Sequence, residues 1–263
     1  SHPGTHLKTH PPEVYGCTIC HQGQGLALKA AAAHGYRSVA KAGGKEHGGG
    51  SAEGHWNELV KHLDHPILKG SNIEAACVKC HQGGAVERTG GRTKDATPHW
   101  TKGRALFAEF GCIGCHALHG EGGKAAPELT EVGAKFPDQF DMRHLKGEHS
   151  VQQWLFEHFL DPQAVVQSDK AIGINFPSDM PNARQFGMTE DDARALTAYM
   201  LSFTGEHVSS KYFVPGEDKL KEPKSFASRV DRGRYAFKRL GCIGCHGREG
   251  RTDDIRANWN AKG

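Results

Sequence analysis

Long apolar runs are missing from this chain of 263 residues. No stretch of about 18 consecutive apolar residues occurs, so no membrane-spanning helix is expected within it. Aromatic residues are scarce at 8%, 34 residues are glycine, and the mean hydropathy is −0.59. A core this thin usually needs a disulfide, a metal or a bound cofactor to hold it. Strong charge of either sign is also absent. Thirty-three Lys and Arg against 30 Asp and Glu leave a formal +3, too little for a strongly basic nucleic-acid binder. No Walker, Rossmann or triad pattern is found, so neither nucleotide nor hydrolase chemistry is implied. Methionine is rare, with 4 residues, and none of them falls in 1–98.

What is abundant is histidine, at 18 residues, together with 8 cysteines. The cysteines form four C-x-x-C pairs, Cys17/Cys20, Cys77/Cys80, Cys112/Cys115 and Cys242/Cys245, and none is left over. Each pair is followed at once by a histidine: His21, His81, His116 and His246. One such pentapeptide would arise by chance roughly 0.02 times per chain, so four are not accidental. Disulfides would not explain the histidines. Zinc ribbons place their two pairs about 15–20 residues apart, and the gaps here are far longer. A thioredoxin-like motif would sit beside a βαβ pattern, which is not seen. Covalent c-type haem does require this spacing. Two thiols about one helical turn apart add to the two vinyl groups of one porphyrin, and the next imidazole faces the iron.

The four motifs resemble those of a multihaem, here tetrahaem, c-type cytochrome. That resemblance implies four covalent haems and attachment outside the cytoplasm, in the periplasm or an equivalent compartment. Each oxidised haem brings about −1 of net charge, which moves the protein close to neutrality. The chain opens at Ser1 with no charged and apolar leader pattern, and the signal segment is expected to have been removed.

The expected architecture is mainly α. A loop-rich segment, 1–98, wraps two haems. It carries ten of the histidines, and its GCTICHQG at 16–23 is echoed by ACVKCHQG at 76–83, an offset of 60. A short helix is expected at Trp56–Leu63. Residues 99–206 hold a helix running into Cys112, a loop with Gly122, Gly123 and Pro127, a helix near 150–160 ended by Asp161-Pro162, and a last helix from Thr189 to about Phe203 with Leu196, Tyr199, Met200 and Phe203 on one face. This part resembles a class I cytochrome c domain. The resemblance implies that Gly103 and Phe107 cross against Tyr199, that the Pro127 carbonyl holds the proximal histidine, and that Met180-Pro181 is the distal-ligand loop. Residues 207–230 read as a charged linker. At 231–263 the start of a second such domain follows, since 231–246 repeats 101–116 with nine of sixteen positions identical.

The sixth ligands are the open question. Met200 lies on the apolar helix face, Met188 beside the helix cap, and Met142 too soon after the motif. Met180, in a Pro-flanked loop 64 residues after His116, is the candidate. In 1–98 only histidine is available, and His10, His55 and His34 are the leading candidates. His158 and its neighbours His99, His119, His144 and His149 read as surface residues. The fourth motif has neither His nor Met after His246. The expected role is electron transfer with redox partner proteins, as part of a membrane-associated respiratory complex. The alternatives are an enzyme acting on a small molecule such as peroxide or nitrite at an open haem, and a subunit of a polymeric filament.

Overall fold

The computed structural model describes residues 6–23, 36–37, 58–59, 67–89, 92–166, 178–205, 208, 212–215 and 225–239. The fold is mainly α. Among the described residues the long helices are Pro98–Glu109, Val151–Leu160, Glu190–Leu201 and Arg229–Arg239, and the strands have two to four residues.

The helix Pro98–Glu109 starts on a proline, whose missing N–H costs nothing in the first turn. Its N-terminus is capped from outside: Trp100 N donates to Glu74 Oε2 at 2.7 Å, and His99 Nδ1 lies 3.0 Å from Glu74 Oε1. A carboxylate there also suits the positive end of the helix dipole. The helix stops at Glu109, before the cysteines, because Gly111 turns left-handed at φ +68°. Val151–Leu160 is capped by Ser150, which accepts from Gln153 N at 3.2 Å. Glu190–Leu201 opens with a reciprocal box: Asp192 N donates to the Thr189 hydroxyl and Thr189 N to the Asp192 carboxylate, at 3.2 and 2.9 Å.

The helices Pro98–Glu109 and Glu190–Leu201 cross at very short range. A Cβ on Gly103 would stand 2.0 Å from the Ala195 carbonyl oxygen. Around that point Phe107 and Trp100 each pack on Tyr199 with ring centres 5.6 Å apart, and Tyr199 packs on Phe203 at 4.8 Å. Trp100 Nε1 donates to Ser202 Oγ at 3.0 Å. Lys102 closes the rim on Asp191 and, at 2.8 Å, on Asp192. This is the crossing that the resemblance implies.

The border expected at 98/99 falls inside one packed core. Leu68, Ala75 and Ala76 are buried in the same cluster as Trp100, Phe107, Leu155, Leu196 and Met200. Residues 70–77 form a 3-10 turn, Gly70–Ile73, running into the helix Glu74–Cys77, and they rest on Glu190–Leu201. A hairpin, Val86–Thr89 with Arg92–Asp95, then leads to Pro98. Of the helix expected at 56–63, the described residues Glu58–Leu59 are instead a strand, antiparallel to Tyr36–Arg37. Eight residues are too few to hold a helix without packing, so local propensity did not decide there.

Gly103→Ala should be strongly destabilising, because the added methyl meets backbone rather than a movable side chain. Overpacking of this kind costs about 1–3 kcal/mol or more, and chemical denaturation of the variant should show it.

Candidate haem-binding sites

At the third motif, Gly111 turns the chain into a 3-10 turn, Cys112–Gly114, and His116 N donates to Cys112 O at 3.0 Å. One turn therefore carries both thiols and the imidazole. The following loop folds back onto it. Gly123 N donates to Ile113 O at 2.9 Å and Ala126 N to Cys115 O at 3.1 Å. A Cβ at Gly123 would stand 2.1 Å from the Gly114 carbonyl oxygen, so only glycine allows this approach. The loop then brings the Pro127 carbonyl to His116, whose Nδ1 donates to it at 2.7 Å. With Nδ1 occupied, Nε2 is left as the ligating atom, the usual arrangement for a metal-bound histidine.

The same device recurs at the first motif. Cys17 caps the turn Thr18–His21, and His21 Nδ1 donates to the Leu68 carbonyl at 3.2 Å, while Leu68 N donates back to His21 O at 2.8 Å. At the second motif His81-Gln82 runs parallel to Val214–Pro215, with Val214 N donating to Cys80 O at 2.8 Å. The two N-terminal motifs adjoin. Burial, and then the neighbouring Cys17 and Cys80, push the Cys20 thiol up; burial, and then Cys20, push Cys77 up to about 11. Burial also holds Cys112 at about 12. Burial and then neighbouring His10 push the His81 imidazole down.

Met142, Met188 and Met200 are buried in the core, whereas Met180 is only partly buried against it. Gln163, in the turn Pro162–Val165, donates through Nε2 to the Met180 carbonyl at 2.7 Å and so tethers this loop. His158, expected at the surface, is half-buried. It stacks on Trp154 with ring centres 4.3 Å apart, and burial, then His116, push its imidazole down to about 4. His158 Nδ1 and His144 Nε2 are buried and have no hydrogen-bond partner among the described residues. An orphaned buried nitrogen on His158, close to His116, and a pair of thiols on the same turn as that imidazole fit a covalently held, polar-edged macrocycle. Zinc needs four converging ligands. Among the described residues no cluster of three or more His, Cys, Asp or Glu could hold a metal ion.

The Cytochrome c family model matches residues 100–204. Residues 100–204 are a class I c-type cytochrome domain. Two curated proteins are similar to this part of the chain. Cytochrome c oxidase subunit 2 of Alkalihalophilus pseudofirmus is 31% identical over 102 residues, 38% of this chain and 25% of that protein. A subunit of the nitric oxide reductase of Paracoccus denitrificans is 27% identical over 108 residues, 40% of this chain and 59% of that protein. The chain thus spans about a quarter and about three fifths of these relatives. No solved structure matches it significantly. The cytochrome c domain implies a covalently bound c-type haem and supports haem-based electron transfer.

His10 lies among the described residues, with its ring centre 6.0 Å from that of His81. His34, His55, Cys242, Cys245 and His246 lie outside them. Gln163, His158 and the Leu68 carbonyl had no signal in the sequence, because each acts through a contact between segments far apart in the chain.

The depression of His158 has a testable sign. The unfolded chain takes up this proton near 6.5 and the folded chain only near 4, so acidification across that window favours unfolding. Each pH unit within it costs up to about 1.4 kcal/mol. His158→Phe should flatten the fall in denaturation midpoint between these pH values while leaving the midpoint at pH 8 within about 1 kcal/mol, since an orphaned buried polar atom is removed with it.

Proposed function

We propose that the chain is an extracytoplasmic electron-transfer protein carrying four c-type haems, attached at Cys17/Cys20, Cys77/Cys80, Cys112/Cys115 and Cys242/Cys245, with proximal ligands His21, His81, His116 and His246. The observation that carries the reading is the His116 Nδ1 bond to Pro127 O at 2.7 Å, beside one turn holding the Cys112 and Cys115 thiols in a cytochrome c domain. The carbonyl fixes the ring plane and makes the ligating nitrogen more basic. What the haem supplies is one-electron redox chemistry. The protein's own part is to hold the axial imidazoles, shield the site from water and keep the ligands from rearranging between oxidation states.

Met180 is the sixth ligand of the third haem in this reading. It is supported by its partly buried loop position and by the Gln163 tether, while the other three methionines fill the core. Haems one and two take histidine, from among His10, His55 and His34. Thioether favours ferrous iron more than imidazole does, so the N-terminal pair is held at lower potential than the cytochrome c domain. Electrons then run from the N-terminal pair toward that domain. The two relatives are named as subunits of a cytochrome c oxidase and a nitric oxide reductase, which supports a place beside other subunits of a respiratory complex. Among the described residues no helix is long and apolar enough to cross a membrane. Membrane association in this reading runs through those partners.

A pyridine haemochrome assay on the denatured, reduced protein should give four c-type haems per chain, resistant to acid–acetone extraction. A lower count removes at least one attachment site from the reading. Met180→His should abolish the near-infrared charge-transfer band of Met-ligated ferric haem and lower one midpoint potential. Persistence of the band transfers the ligand role to another methionine. Gln163→Ala should keep the band at neutral pH but lose it at lower denaturant concentration than the parent, because the loop is untethered rather than the ligand removed.

A further inference from the structure

Within the reading of haem attachment given above, we infer that Val214–Pro215, in the stretch that reads as a linker, is part of the second haem site. The Pro215 carbonyl accepts the Nδ1 proton of His81 and so positions that imidazole from 134 residues downstream. Two motifs share one backbone register. At the third motif His116 pairs in parallel with Ala126, and Ala126 N donates to Cys115 O at 3.1 Å. The next residue, Pro127, takes the His116 Nδ1 proton at 2.7 Å. At the second motif His81 pairs in parallel with Val214, and Val214 N donates to Cys80 O at 2.8 Å. The next residue is again a proline, Pro215. The attachment turns match as well, with Cys115 N donating to Cys112 O at 3.2 Å and Cys80 N to Cys77 O at 3.3 Å.

In a parallel pair the register fixes which carbonyl lies beside which residue. The Pro215 carbonyl therefore stands to His81 as the Pro127 carbonyl stands to His116. An imidazole that ligates through Nε2 turns Nδ1 away from the metal, toward the backbone that carries it. Proline suits the accepting position, since it has no N–H to satisfy at an edge and its fixed φ limits where the carbonyl can point. Apolar burial does not explain why the segment lies here, because Tyr212, Phe213 and Val214 are exposed. The closing helix does explain it. Glu190–Leu201 rests on 70–77, which ends in Cys77, and Val214 stands only 13 positions past Leu201. Closing so short a stretch costs little chain entropy. A carbonyl on Nδ1 makes the ligating nitrogen more basic and favours ferric iron, so Val214–Pro215 lowers the potential of the second haem.

The test uses the full chain with its haems. In reduced, histidine-labelled protein the His81 ring is the one in through-space contact with the thioether groups at Cys77 and Cys80. Its Nδ1 proton should exchange slowly with solvent and show contacts to the protons of Pro215. Val214→Pro removes the N–H that Cys80 O accepts and breaks the pairing. It should raise one midpoint potential and speed the exchange of that proton, while the methionine-type near-infrared band stays. The potential that moves should be the one missing from Cys77→Ala/Cys80→Ala protein. Val214→Ile keeps the N–H and should leave that potential where it is. A rapidly exchanging His81 Nδ1 proton, contacts from it to a different segment, or unchanged potentials in folded Val214→Pro protein overturns the inference. Where Val214→Pro does not fold, the contacts in the parent protein decide. A peptide holding Cys77 and Cys80 that carries no haem by mass spectrometry overturns instead the attachment reading beneath it.

Discussion

The contact on which the rest of the structure depends is the crossing at Gly103. With no side chain there, the helix Pro98–Glu109 lies on the Ala195 carbonyl, and the backbones meet as closely as backbones can. The small, buried Ala195 makes the facing surface low enough for this. Trp100, Phe107 and Tyr199 then fill the angles between the helices, and these three rings supply much of the apolar burial in a chain with few aromatics. The crossing also aims the C-terminal end of the first helix, and Cys112 begins one residue past the left-handed Gly111 that ends it. Met188 is buried in the same core as the closing helix, and Met180 packs partly buried against that core.

From that frame the candidate sites follow a common plan. A helical turn places two thiols and an imidazole together, and a backbone carbonyl from a distant segment accepts the imidazole Nδ1 proton. Pro127 provides that carbonyl for His116 and Leu68 for His21. A carbonyl suits this role because it can only accept, so the tautomer is dictated by the backbone and not by a titrating side chain. Burial pushes the Cys77 and Cys112 thiols up, to about 11 and about 12.

Glu74 joins the segment that carries the second C-x-x-C-H motif to the cytochrome c domain. Its carboxylate, nearly buried, takes two hydrogen bonds from the first turn of Pro98–Glu109 while its own helix ends in Cys77. Beside the second motif, Leu68, Ala75 and Ala76 share a single core with the cytochrome c domain.

Much was legible in the chain itself. Four C-x-x-C-H pentapeptides, the helices at 151–160 and 190–201 and the turn at Gly122-Gly123 are local patterns, readable because thiol spacing, caps and helical periodicity act over a few residues, whereas the Gly103/Tyr199 crossing was legible only through the resemblance to a class I cytochrome c domain. The candidate Met180 was legible by elimination among only 4 methionines. Tertiary structure alone decided the rest. It set His158 against Trp154 inside the protein rather than on its surface, tied Met180 to Gln163, and ran the core across residue 98. It also brought His10 to His81, 71 positions away in sequence. The physical reason is the same in each case. Hydrogen bonds and ring contacts between distant segments carry no periodicity, and with 18 histidines to choose from, composition cannot say which imidazole meets which. Only the closing of the chain around its core decides that.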